Sequence, residues 1–448
     1  MAVLLYHEIN LIFETKTHIL KIRNKAFYAT IILGVLIILE NGFLYFFYRE
    51  GILTQGKNAI GLFLSSILFG VVLLFKFYNT SITFSSFKQR RTYSTFILLF
   101  ISGLIFLGKQ YYDHISKISI DLSYSDIIPM IIQMTKNFIS YGNPYLPVNF
   151  FGAPGIPTYL TMHWLPFTIA LFFKIDYRWI PYGAWCIAAL FIYGRAIKYQ
   201  EYPLAKLILL VLILSSMYVV INYNDSIIIA TVELLIAGYY MLFILGLNQQ
   251  NGLLQGLLIS FCLLSRYSLI LWLPLYVFVL FVSNNKKLLL YSIATISIIT
   301  IAIYIVPFLS KDWRLPFKSY KGYDVAALGE WSRENKDGKP LQLFAGTGFA
   351  YFFYTRLTHI SIAARIKILQ HMHLIFSLSV TILSGIWYWF KRNKINYKIF
   401  LAGSFKIYLA VFLFLIQVPY EYLMCVGNFV SIAIFCEQLR YKITDLAE

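Results

Sequence analysis

Charge is scarce in this chain. Acidic and basic residues together make up 13% of it, against 59% hydrophobic residues, which is too little charge to coat a soluble globule. Carboxylates are the scarcer sign, with 20 Asp and Glu beside 38 Lys and Arg. Cysteine is rare as well. Cys186, Cys262, Cys425 and Cys436 all sit in apolar runs, and their spacing fits neither a disulfide framework nor a metal site. Neither a Walker loop nor a dinucleotide fingerprint after a strand is present, so direct use of a cytosolic nucleotide has no visible site. The period-2 alternation of a closed barrel is missing, as are internal repeats and low-complexity tracts. The first 26 residues carry both charge signs and no small-residue cleavage site, so no cleavable signal peptide is expected.

What is abundant is apolar sequence in runs near 20 residues, each long enough to cross roughly 30 Å of hydrocarbon. The expectation is an all-α polytopic membrane protein with about 11–12 transmembrane helices and a large first outer loop carrying interfacial helices. Spans are expected at 27–48, 58–79, 92–109, 180–194, 203–223, 226–246, 287–308, 372–390, 398–417 and 421–437. The run 253–282 is too long for one crossing and is interrupted by Ser265-Arg266-Tyr267, which predicts a hairpin of two short helices. One membrane domain is expected over 1–448, with outer loops at 110–179 and 309–371.

The net charge of +18 suits basic cytoplasmic loops facing anionic lipid and does not require nucleic acid. Lys16, Lys21, Arg23 and Lys25, then Lys88, Arg90 and Arg91, then Lys286 and Lys287, then Lys391, Arg392, Lys394 and Lys398 mark four such loops. Counting crossings from them puts 110–179, Asn224-Asp225, the Arg266 turn and Pro419-Tyr420-Glu421 on the outer side. That count requires the short apolar run 160–174, which contains Thr161, His163 and Pro166, to be a re-entrant or interfacial element. Richness in Ile, Lys, Asn, Tyr and Phe suggests an AT-rich bacterial genome and hence a bacterial cytoplasmic membrane.

The stretch 121–166 breaks this apolar background. Asp126 opens a helical pattern over 126–141, in which Asp126, Gln133, Asn137 and Ser140 form a stripe expected to face water at the membrane interface. Asp126 suits either a helix cap or a general base at the water–lipid boundary. Asp121 is the rival base or a solvated loop residue. Asp225 sits at an outer helix junction and suits a cap of the following span. Glu233, set deeper, is expected to hydrogen-bond structurally. Arg266 is a natural phosphate ligand, or a snorkelling cation. His163 suits a phosphate or sugar contact, or a satisfied interfacial histidine. Tyr145, Tyr159 and Trp164 suit sugar platforms or an aromatic belt. Tyr420 and Glu421, and Lys318, Lys321 and Arg333 in the late loop, are weaker candidates. His371 and His373 have no carboxylate or cysteine to complete a metal set.

An early loop Asp, an interfacial helix, then Gly142-Asn143-Pro144-Tyr145 and a proline-rich approach through Pro157 and Tyr159 to His163, Trp164 and Pro166 resembles the first large loop of GT-C-fold glycosyltransferases. The resemblance runs through the architecture to about residue 310. It implies sugar transfer from a polyprenyl-phosphate donor to a glycan, lipid or protein acceptor at the bilayer, with inversion. It places the catalytic carboxylate at Asp126 and a second acidic residue at Asp225, expected to assist acceptor or sugar positioning; beside it, the charge of Arg266, with His163, is expected to hold the phosphate. No cofactor is implied. The lack of a D-x-D pair argues against a metal-dependent member, although a divalent metal stays open at this point. The alternative from another class is a lipid-linked sugar flippase or small-molecule transporter. A ligase or polymerase of lipid-linked glycans would depend instead on Arg314 and Arg333.

Overall fold

The computed structural model describes residues 25–84, 92–150, 153–155 and 157–445. Of the basic residues used above for orientation, Lys16, Lys21, Arg23, Lys88, Arg90 and Arg91 lie outside the described residues. The fold is all-α. Among the described residues, eight helices are long and apolar enough to cross a membrane. The first three are α1 (Lys25–Tyr45), α2 (Gln55–Lys76) and α3 (Tyr93–Ile115). After α3 comes the amphipathic α4 (Ile127–Tyr141), then two short helices, α5 (Thr161–Trp164) and α6 (Thr168–Phe173). The long α7 (Trp179–Ile197) and α8 (Pro203–Tyr223) lead into α9 (Asp225–Ala230) and α10 (Glu233–Leu247). Next are α11 (Gly252–Leu263), α12 (Leu273–Val282) and α13 (Lys286–Thr300), the last prolonged by a π-helical stretch, Ile301–Leu309. The remaining helices are α14 (Leu315–Ser332), α15 (Ala350–Arg356), α16 (Ile362–Lys391), α17 (Tyr397–Phe414) and α18 (Glu421–Gln438).

Burial separates the centre of the bundle from its lipid-facing rim. α17 is 83% buried over its apolar window, whereas α13 is 11% buried and α3 17%. The peripheral helices turn large apolar side chains outward, among them Leu98, Ile105, Ile298 and Ile382, as a bilayer solvent allows. α10 and α18 are buried almost along their whole lengths beside α17.

The run 253–282 folds as two short helices, α11 and α12, joined through 264–272. α11 runs alongside α13 in the same direction. Gly252 faces Leu288 and Ser292, and Gly256 faces Ser292 and Thr295. A Cβ on Gly256 would stand 2.6 Å from the Ser292 carbonyl oxygen, so the small-xxx-small pair is what lets the backbones touch. Tyr276 of α12 closes the group, its hydroxyl donating to Gln255 Oε1 at 2.6 Å and lying 2.9 Å from the Ser292 hydroxyl. Because both helices are short, Arg266 sits at their turn rather than in a crossing.

The expected span 226–246 is broken. Residues 231–232 leave the helix, Thr231 being extended at φ −133° and ψ 175°. The Thr231 hydroxyl donates to Ile227 O at 2.7 Å and accepts the Glu233 amide at 3.3 Å. Glu233 therefore opens α10, where a carboxylate suits the helix dipole, instead of lying two turns inside a continuous span.

Thr161–Phe173 has both ends on one face of the bundle. The Met162 amide bonds Leu264 O at 2.8 Å, beside the Arg266 turn. Beyond α6, Arg178 bonds Ile118 O at 2.9 Å, just past the end of α3, and accepts at its own carbonyl from Tyr111 at 2.7 Å. On the opposite face a two-stranded sheet pairs β1 (Thr80–Phe84) antiparallel with β4 (Tyr441–Asp445), while β2 (Val148–Phe150) and β3 (Ala153–Gly155), which follow α4 in the chain, pair antiparallel with each other.

Candidate functional site

On the face that carries 116–178, four stretches of chain converge. The first is α4. Asp126 precedes it, exposed, and makes no side-chain cap bond, so its carboxylate is not used to close the helix. The stripe behind it differs from the sequence expectation. Asn137 is 5% exposed and accepts from Gln133 at 2.8 Å, while Ile139 and Tyr141 face outward. The two amides satisfy each other, which makes it affordable to turn Asn137 into the packed side of α4.

Gly142 stops α4 in the left-handed region at φ 65°, its amide bonded to Phe138 O at 2.8 Å. Asn143 then forms an Asx turn by accepting the Tyr145 amide at 3.1 Å. The Tyr145 hydroxyl donates to Tyr159 O at 3.1 Å, which fixes the approach of the 157–160 segment. Tyr145 and Trp164 pack with Phe138 against Phe308 of the π-helical stretch. Trp164 is fully buried there and is a core side chain, with no ring face open to a sugar.

Tyr159 and His163 stack with centroids 4.4 Å apart and planes 1° from parallel. The His163 Nδ1 lies 3.3 Å from Ser265 O, so the carbonyl selects the tautomer with its proton on Nδ1. Burial, and secondarily the Arg266 charge, hold His163 down at about 3, which keeps it neutral. Its Nε2 is then a lone-pair acceptor, buried and without a partner among the described residues. A neutral acceptor repels phosphate oxygens and suits a hydroxyl donor. Of the two residues expected to hold a phosphate, Arg266 carries a charge suited to it and His163 presents an acceptor.

Arg266 pairs through Nη2 with Glu233, which is 2% exposed. The Glu233 Oε2 has no partner among the described residues. The turn is braced below: Tyr240 bonds Ser268 Oγ at 2.6 Å and Tyr408 donates to Ser268 O at 2.6 Å. Burial raises the Tyr159 phenol, with the Asp126 carboxylate reinforcing the effect and Arg266 opposing it.

Two contributions come from the carboxy-terminal third. Glu330 of α14 is raised by burial, and both Arg333 and Asp126 act on it. Tyr420, stacked on Tyr422 at 5.0 Å, feels Glu330, Asp126 and Tyr159. Glu330 was missed in the sequence. The available signal was the four-residue spacing of Leu315, Ser319, Ala327 and Trp331, all buried, which marks the packed side of α14 next to Glu330.

The remaining candidates lie apart. Asp121 is exposed and held low by Ser123, then Ser119, in a self-contained turn. Asp225 is the exposed first residue of α9, and no bond among the described residues joins it to the Asp126–Arg266 group. Lys318 is paired with Asp312 at 2.5 Å in the exposed loop. His373 packs on Phe412 with ring centroids 4.3 Å apart. Among the described residues no group of three His, Cys, Asp or Glu converges as a metal site would require.

No known family matches the chain, and neither a curated protein nor a solved structure is similar to it at a significant level.

Proposed function

We propose that this multi-pass membrane protein is a glycosyltransferase of the GT-C type, moving a sugar from a polyprenyl-phosphate donor to an acceptor hydroxyl on the extracytoplasmic face of a bacterial cytoplasmic membrane. The observation that carries the reading is an exposed, uncapped carboxylate, Asp126, on the face where the half-buried Arg266 turn meets the Tyr159–His163 stack through the Ser265 carbonyl.

The acceptor oxygen attacks the anomeric carbon from the side opposite the phosphate. Its proton passes to Asp126 as the new C–O bond forms. The anomeric carbon–oxygen bond to phosphate breaks with inversion, and the charge left on the lipid phosphate is met by Arg266. His163 Nε2 accepts from a sugar hydroxyl, and the isoprenoid tail stays in the bilayer. This chemistry needs one base and one cation, so a second carboxylate at glycosidase spacing is not required.

The test is turnover of a panel of polyprenyl-phosphate hexoses and pentoses by the purified protein in nanodiscs. Asp126→Asn should lower transfer by about 10²-fold or more with an unchanged melting temperature. Near-normal turnover in that variant would overturn the assignment.

A second reading, a lipid-linked sugar flippase or small-molecule transporter, is favoured by one observation. A Lys406–Glu40 ion pair lies inside the bundle beside a void of about 10 Å³, roughly one water. It predicts that labelled substrate crosses proteoliposomes without being consumed.

A further inference from the structure

A second opening lies on the same face, between the α1–α2 connection and the 334–345 segment. It has a volume of about 380 Å³, within the range of small-molecule sites, and is lined by Tyr48, Arg49, Asn335, Asp337, Lys339 and Glu421.

Its walls are built. Gln55 and Asn58, both buried on α2, reach across to the second wall: Gln55 donates to Leu343 O at 3.0 Å and Asn58 to Gly346 O at 2.8 Å. Tyr48 donates to Phe344 O at 2.6 Å. Gly346 adopts φ 82° against the Tyr48 ring, where a Cβ would stand 2.5 Å from Cδ1. The residue must be glycine on both counts, and its close seat holds the two walls together. The rim is an Asx turn, in which Asn335 Oδ1 accepts the amides of Asp337 at 2.9 Å and Lys339 at 3.1 Å.

The lining selects the chemistry of the occupant. It offers two cations, Arg49 and Lys339, two carboxylates, Asp337 and Glu421, and one amide, Asn335. Arg49 and Glu421 already neutralise each other at 2.7 Å. An anion would meet both carboxylates, and a cation would meet Arg49 and Lys339. A neutral ligand with closely spaced hydroxyls finds donors and acceptors in equal supply, at no cost in unbalanced charge. We propose that this cleft is a binding site for a neutral saccharide of one or two sugar units. Glu421 follows directly on Tyr420, which belongs to the Asp126 group, so the cleft and that group are adjoining. Saccharide binding here stands by itself; naming the bound sugar as the acceptor rests on the transferase reading.

The experiment is saturation-transfer difference NMR on the full chain in nanodiscs. The probes are neutral gluco-, galacto- and manno-configured disaccharides, with inorganic phosphate as competitor. Saturation of sugar protons is expected with at least one disaccharide. It should fall at least tenfold in the exposed-rim double variant Asp337→Ala/Lys339→Ala, persist in Asp126→Asn, and be unaffected by phosphate. Absence of saturation with every disaccharide, retention of the signal in the rim variant, or displacement by phosphate would each overturn the proposal. Since Asp126→Asn tests transfer and the rim variant tests binding, loss of one reading leaves the other measurable. Both rim residues are exposed, and an unchanged size-exclusion profile checks that the variant is folded.

Discussion

Lys406 and Glu40 form an ion pair of 2.8 Å within the helix bundle, each side chain 1% exposed. Ser66 donates to the same carboxylate at 2.8 Å, and Lys406 also donates to Gly427 O at 2.9 Å. α1, α2, α17 and α18 are thereby tied through one polar knot.

A buried pair is far costlier to halve than to remove. Lys406→Met should lower stability by roughly 3–5 kcal/mol, because it strands the Glu40 carboxylate. The double variant Glu40→Gln/Lys406→Met should recover most of that loss. Thermal melts in one detergent, read for the two single variants and the double, check this. Full additivity of the singles would contradict it.

Arg266 and Glu233 allow structural and chemical roles to be separated. Arg266→Ala leaves Glu233 buried beside its already unpartnered oxygen, a loss on the order of 3 kcal/mol. Adding Glu233→Gln should restore most of the melting temperature. On the proposed reading it should not restore transfer, since the phosphate still lacks its cation. Recovery of both together would reduce Arg266 to a scaffold residue.

His163 predicts the direction of a pH effect. Its folded-state value is lowered to about 3 from an ordinary 6.5 by burial and then by Arg266, so the native state resists protonation. A depressed value stabilises the fold fully above about pH 6.5, and that stability is lost as pH falls from there toward 3. Melting temperature plotted against pH should fall less steeply on the acid side in His163→Gln than in the parent protein. Identical slopes would show that His163 does not titrate in the unfolding reaction.

Much of the scaffold was legible because hydrophobic length is a local property. Runs near 20 residues marked α2, α8 and α13, and the Ser265-Arg266-Tyr267 interruption marked the turn between α11 and α12. Gly142 announced the end of α4. What escaped was set by distant partners. The break at Thr231 is a β-branched residue within an apolar run, and its effect is to bring Glu233 to Arg266. Asn137 looked like a water-facing residue because the Gln133 bond that satisfies it cannot be seen in a spacing pattern. Glu330 lies on α14, a helix inside what reads as a loop, and the second wall of the cleft is placed by buried α2 side chains, Gln55 and Asn58.

The pairing of β1 with β4 and of Glu40 with Lys406 shares a property of timing. In each case one member lies near the start of the chain and the other near its end. Synthesis and membrane insertion proceed from the amino terminus. The first helical hairpin must therefore enter the bilayer with a carboxylate whose cation has yet to be made, and β1 must wait for the last strand before its backbone is satisfied. α17 and α18 can therefore dock against α1 and α2 only after the stretch between them has been made. A ribosome-stalled chain ending before α17 should leave Glu40 in α1 open to carboxylate-directed cross-linking that a chain containing α17 resists.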